Sequence, residues 1–173
     1  EAQPDFASRD PSNLLLGTDE GTFVESGEAA GLVRFVKGRG GAVVDLNLDG
    51  LPDLVQANRS ANVGLFRNVG SGTADEPEPM GNWLAIRPQQ ASPNRDAIGS
   101  WIEVRAGDRT AQREVTIGGG HASGELGWIH FGLGGSDEAQ IRVQWPDGTT
   151  GPWMEVAANE LVTIHRGDAE PRV

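Results

Sequence analysis

"GAVVDLNLDGLPDLVQA", residues 41–57, is the stretch from which the rest of the chain is best read. Two apolar runs, "AVV" and "LVQA", enclose a polar nonapeptide that carries Asp45, Asn47, Asp49 and Asp53 around Gly50. Short runs rich in β-branched residues and bounded by turn residues read as strands. A glycine between them allows the backbone a sharp reversal. The stretch is therefore expected to be a strand, an acidic loop and a returning strand.

Two readings of the loop compete. A hard cation such as calcium takes six to eight oxygens, and alternating side chains of a curled loop can point at one centre. In that reading Asp45, Asn47, Asp49, the Leu51 carbonyl and Asp53 are the metal ligands, and Ca2+ is the expected cofactor. The plain alternative is an Asx-rich turn that only reverses the chain. A helix–loop–helix calcium hand is excluded, because position 12 counted from Asp45 is Gln56 and the flanks are strand formers.

Working outward, "GTFVES" (21–26), "LVRFV" (32–36) and "VGLFRN" (63–68) are further short apolar runs bounded by turn signals. Only "ESGEAAGL" (25–32) invites a helical turn. Beyond "GSGTADEPEPMG" (70–81), which has almost nothing to bury, the alternation sharpens. "WLAIRP", "SWIEVRAG", "REVTIGG", "WIHFGLG", "QIRVQWPDG" and "LVTIHRG" are six candidate strands. The turn signal "DGTTG" between Pro146 and Pro152 predicts a hairpin returning through "WMEVA". The expected fold class is all-β: an N-terminal part over 1–70 with the acidic loop, a linker over 71–81, an antiparallel β-sandwich or barrel over 82–168 and a tail over 169–173.

The chain has 173 residues, 25 Gly, 10 Pro, no Cys and a formal net charge of −11, and its single Lys is Lys37. That charge repels phosphate backbones and argues against nucleic acid as a partner. The absence of Cys excludes disulfides and thiolate metal sites. No apolar stretch approaches the roughly 20 residues needed to cross a bilayer. "EAQPDFASRD" at the start shows no signal peptide.

Residues 40–70, "GGAVVDLNLDGLPDLVQANRSANVGLFRNVG", resemble an FG-GAP repeat of the integrin-alpha type, a propeller blade with a calcium loop between its strands. Residues 12–32 resemble the outer part of a preceding blade. The resemblance implies an incomplete propeller-blade-like N-terminal part and carries the metal role to Asp45, Asn47, Asp49, Leu51 and Asp53. Gly40-Gly41 departs from the family's aromatic-glycine entry. Residues 82–166 resemble the ASPIC/UnbV domain, which follows such repeats in cartilage-acidic-protein-like chains, through "NWLAIR", "NRDAIGSWIEV", "REVTIGGG", "HFGLG", "IRVQWPDG" and "NELVTI". That likeness implies a periplasmic or extracellular location and a domain with no established catalytic chemistry.

Other residues weaken an enzymatic reading. "GGGHASGE" (118–125) lacks the glycines of a nucleophile elbow and the Lys-Ser/Thr ending of a phosphate loop. It reads as a glycine-rich turn. His121, His130 and His165 share no metal spacing and read as surface or strand histidines. Of five Trp, Trp145 falls on the apolar parity and is expected in the core, whereas Trp128 and Trp153, beside Gly and Pro, are expected to be exposed. The resulting expectation is a non-catalytic, calcium-stabilised interaction module that docks on other protein subunits, including those of a membrane complex, without a transmembrane segment of its own. The alternative is a carbohydrate-binding or adhesion module taking a glycan, and a metal-assisted hydrolase ranks last.

Overall fold

The computed structural model describes residues 11–18, 20–121 and 123–173, so the N-terminal decapeptide examined for a signal peptide lies outside the described residues. Among them the chain is all-β, with no helix and no closed barrel. The "ESGEAAGL" segment makes a single turn, in which Ala30 N–H donates to Ser26 O and Leu32 N–H to Gly27 O, and goes no further.

Two sheets hold the core. One has the order β11-β6-β14, formed by β6 (Asn82–Gln89), β11 (Ile129–Gly134) and β14 (Glu160–His165). The other has the order β13-β12-β7-β8, formed by β7 (Trp101–Ala106), β8 (Arg109–Glu114), β12 (Glu138–Gln144) and β13 (Met154–Ala157). Successive side chains of a strand point to opposite faces. Ile102 and Val104 of β7 and Ile141 and Val143 of β12 therefore meet Leu84 and Ile86 of β6, Phe131 of β11 and Val162 and Ile164 of β14 in one buried cluster. Burying each such side chain contributes about 1.5–3 kcal/mol. Trp145 is 5% exposed and belongs to this core, as its parity predicts.

The hairpin expected after Gln144 is present, with Ile141 opposite Met154 and Glu138 opposite Ala157. Its turn is held by Asp147, whose carboxylate accepts from Arg166 and from the hydroxyl and backbone N–H of Thr149. The Arg166 guanidinium foremost, then Thr149, holds the Asp147 carboxyl down at about 2.

Three features differ from the sequence expectation. The candidate strand "REVTIGG" is broken: β8 ends at Glu114, and β9 (Gly118–Gly120) begins a separate small hairpin with β10 (Ser123–Gly124). β8 itself, "RTAQRE", is exposed along its whole length, so no alternation marks it. Its pairing with β7 follows from the two-residue Gly107-Asp108 turn, with Gly107 at φ +59°. The third is β14, which pairs with β6 in parallel, Val162 opposite Ile86. Asn159 sets that register, because its backbone N–H donates to Trp83 O and its side-chain oxygen accepts from Trp83 N–H.

Residues 11–70 are built differently. β3 (Lys37–Val44), β4 (Asp53–Arg59) and β5 (Gly64–Phe66) form an antiparallel sheet, and β1 (Leu15–Gly17) pairs with β2 (Phe23–Glu25) beside it. Val43, Leu54 and Phe66 lie opposite one another on one face, and Ala42, Val55 and Leu65 on the other. Among the described residues of this region the sole buried apolar side chain is Leu51. The segment that follows does not run extended: Glu78 N–H donates to Val69 O and Thr73 N–H to Glu76 O, which folds 69–78 into a compact loop.

Candidate functional site

The acidic nonapeptide joins β3 to β4, as its flanks predict. Its carboxylates organise the loop through backbone N–H groups. Asp45 accepts from Asp49 N–H at 3.1 Å and Gly50 N–H at 2.7 Å. Asp49 accepts from Leu51 N–H at 3.0 Å and from the Asn47 amide at 2.7 Å. Asp53, 2% exposed, accepts from Leu46 N–H and Asn68 N–H. Arg67 stands 3.8 Å from Asp49.

A carboxylate oxygen can accept about two hydrogen bonds, and each of these oxygens takes one. In donor chemistry the set therefore fits a hard divalent cation: three carboxylates, one amide oxygen and a backbone carbonyl on a short curled loop. In arrangement it is more open than that. Among the described residues no three carboxylates or imidazoles are drawn together closely enough to hold a metal ion.

The loop is pressed onto the outer face of the β11-β6-β14 sheet. Gly50 is buried there, at φ +85°. A Cβ at Gly50 would lie 1.9 Å from Trp83 Nε1, so only glycine permits the approach. The Gly50 carbonyl lies 2.8 Å from His130 Nε2, which donates to it, and the His130 ring stacks on Trp83 with centroids 5.8 Å apart. Burial pushes the His130 imidazole below its ordinary pKa. The Gly50 hydrogen bond and Asp45 oppose that shift, and Arg113 adds to it.

His130 was not separable by sequence from an ordinary strand histidine. The signal lay in β6, where "NWLAIR" carries apolar residues at both parities. Leu84 and Ile86 face the sandwich core, while Trp83 and Ala85 lie under the loop. A strand apolar on both sides is one covered on both sides.

The glycine-rich turn is the β9–β10 hairpin, which leans on the edge of β3. Glu125 just after it accepts a hydrogen bond from Val43 N–H at 3.3 Å, which caps part of that edge. His121 is exposed and His165 ends β14. Trp128 and Trp153, expected to be exposed, are half-buried because arginines cover them. Arg87 lies over Trp128, and Arg105 and Arg142 lie 4.0 and 4.4 Å from the Trp153 ring centre. Trp101 is the more open indole, at 43%.

No helix among the described residues is long and apolar enough to cross a membrane. No curated protein matches this chain. Residues 90–171 do match a family model, described as ASPIC and UnbV. That match begins just after β6, whose Leu84 and Ile86 sit in the same core as the strands it covers. Over these residues the chain is similar to the ASPIC and UnbV family.

Proposed function

We propose that the chain is a non-catalytic interaction module that works outside the cytoplasm, in the periplasm or extracellularly, by docking on other protein subunits. The observation that carries this reading is the uneven burial of its two regions. Residues 84–164 enclose a complete core, whereas Leu15, Leu16, Phe23, Val24, Phe35 and Leu65 are each at least half exposed. Large apolar side chains gathered in one region mark a contact surface. The open edges of a three-stranded sheet are likewise disposed to pair.

In this reading residues 11–70 are propeller-blade material of the FG-GAP type. The β3–loop–β4 arrangement and the sheet's two apolar faces support it. Asp45, Asn47, Asp49, the Leu51 carbonyl and Asp53 would hold Ca2+ there, and the ion would brace the loop against β6. The glycan alternative is less favoured, since arginines occupy the indole faces of Trp128 and Trp153.

The test immobilises the full chain, exposes it to extract of the native source and compares it with a Phe23→Ser/Leu65→Ser variant. A saturable protein partner lost with the variant is expected; equal capture by both proteins rejects the reading. The calcium component is read from melting curves with calcium and with chelator. Calcium at a hundredfold excess over Kd adds about 2.7 kcal/mol, roughly 5–10 °C for a domain of this size. An unchanged midpoint rejects the ion and leaves the docking surface standing.

A further inference from the structure

Where the acidic loop lies over the β11-β6-β14 sheet, a cleft of about 750 Å³ remains between them. That volume is within the range of ligand sites, which favour the seams between packing units. Leu161 of β14, half-buried beside the buried Ala85 of β6, lines it from the sheet. Leu48 and Pro52 of the loop form its roof. Its walls carry three carboxylates, Asp45, Glu114 and Glu125, against one guanidinium, Arg113, which turns toward the Phe131 ring at 5.7 Å. Glu114 and Glu125 are exposed and lie outside the acidic loop.

An apolar trough rimmed by an excess of carboxylates is complementary to a ligand that is apolar along its stem and cationic at its end. The whole chain, at −11, attracts the same sign of partner. A polypeptide supplies both chemistries at once, because alternate side chains of an extended segment point in opposite directions. Arginine and lysine add long aliphatic stems that pack on apolar floors while their heads reach carboxylates.

We infer that this cleft binds an extended segment of a partner protein in which basic and apolar side chains alternate. The apolar groups pack between Leu161 and Leu48, and the cationic heads meet Glu114 and Glu125. The inference rests on the docking reading above and adds to it the chemistry of what is bound, at a place separate from Phe23 and Leu65.

The probe is a fluorescein-labelled, amidated peptide of sequence Leu-Arg-Leu-Arg, followed by fluorescence polarisation on the full chain at fixed calcium. Leu-Glu-Leu-Glu and Ser-Arg-Ser-Arg peptides serve as controls. Saturable binding at least tenfold tighter than to either control is expected, weakening as salt rises. The Glu114→Gln/Glu125→Gln variant should lose about tenfold in affinity, which is about 1.4 kcal/mol. Its glutamine at 125 still offers an oxygen to Val43 N–H, so an unchanged melting midpoint checks its fold. Gly119→Phe fills the cleft independently, from a wall position where an added Cβ meets no atom within 4 Å. It should abolish binding.

Equal affinity for the three peptides, or undiminished binding by both variants, overturns the cleft. So does failure to saturate by about 1 mM, the limit of weak specific affinity. A chain that captures a protein partner through Phe23 and Leu65 but fails these peptide tests overturns the cleft alone.

Discussion

The His130 side chain donates to the backbone of Gly50, eighty positions earlier, with Nε2 and the carbonyl oxygen 2.8 Å apart. The bond ties the turn of the acidic loop to β11, within the residues that match the ASPIC and UnbV model. Trp83 packs against both partners, stacked on the imidazole and in contact with the Gly50 backbone. Three residues from distant parts of the sequence thus form one joint.

Gly50→Ala should break that joint. Alanine at φ +85° is strained, and its methyl would overlap the Trp83 indole. A left-handed non-glycine conformation costs about 1–3 kcal/mol and overpacking a similar amount. A loss of about 2–6 kcal/mol in urea unfolding is expected, with a red shift of the tryptophan fluorescence. A variant as stable as the parent would show that the loop does not bear on Trp83.

His130 makes stability depend on pH. Its pKa in the folded chain is lowered, chiefly by burial, from the ordinary 6.5. Below 6.5 the unfolded chain takes up a proton that the folded chain still refuses, so stability falls with falling pH. The contribution is fully present above 6.5 and is lost between 6.5 and the lower folded value. Melting midpoints measured from pH 8 down to pH 5 should decline through this window, and His130→Gln should remove that part of the slope. An identical slope in the variant would assign the decline to other groups.

Asp53 is the loop's buried anchor. Asp53→Ala leaves Leu46 N–H and Asn68 N–H without their acceptor, at about 0.5–1.5 kcal/mol for each of these part-buried bonds. Asp53→Asn keeps one acceptor oxygen and should lose less. Denaturation in chelator isolates this protein contribution from any given by an ion. Equal losses in the two variants would mean that the backbone bonds are not what holds the loop.

Much of the architecture was legible in residues. Alternation in "QIRVQW" and "WIEVRA" identified β12 and β7 together with their buried faces, and "DGTTG" marked the reversal into β13. The acidic loop was placed between two strands by its β-branched flanks. β8 was illegible because an edge strand exposed throughout is held by backbone pairing, to which its side chains contribute no pattern. The β9–β10 hairpin, built from glycines, hides its preference in the same way. Of the candidate site, the donors Asp45, Asn47, Asp49 and Asp53 were visible, whereas Trp83, His130 and Glu125 were not.

By itself the sequence determined which side chains of β7 and β12 enter the core, because successive residues of an extended chain face opposite ways and alternation registers that directly. It also determined that the acidic loop would turn at Gly50, since a glycine there permits a positive φ. Tertiary structure alone decided that β14 would lie parallel to β6 and that the loop would press its glycine against Trp83 and His130. Such contacts join residues far apart along the chain, where no local period or spacing can encode the partner.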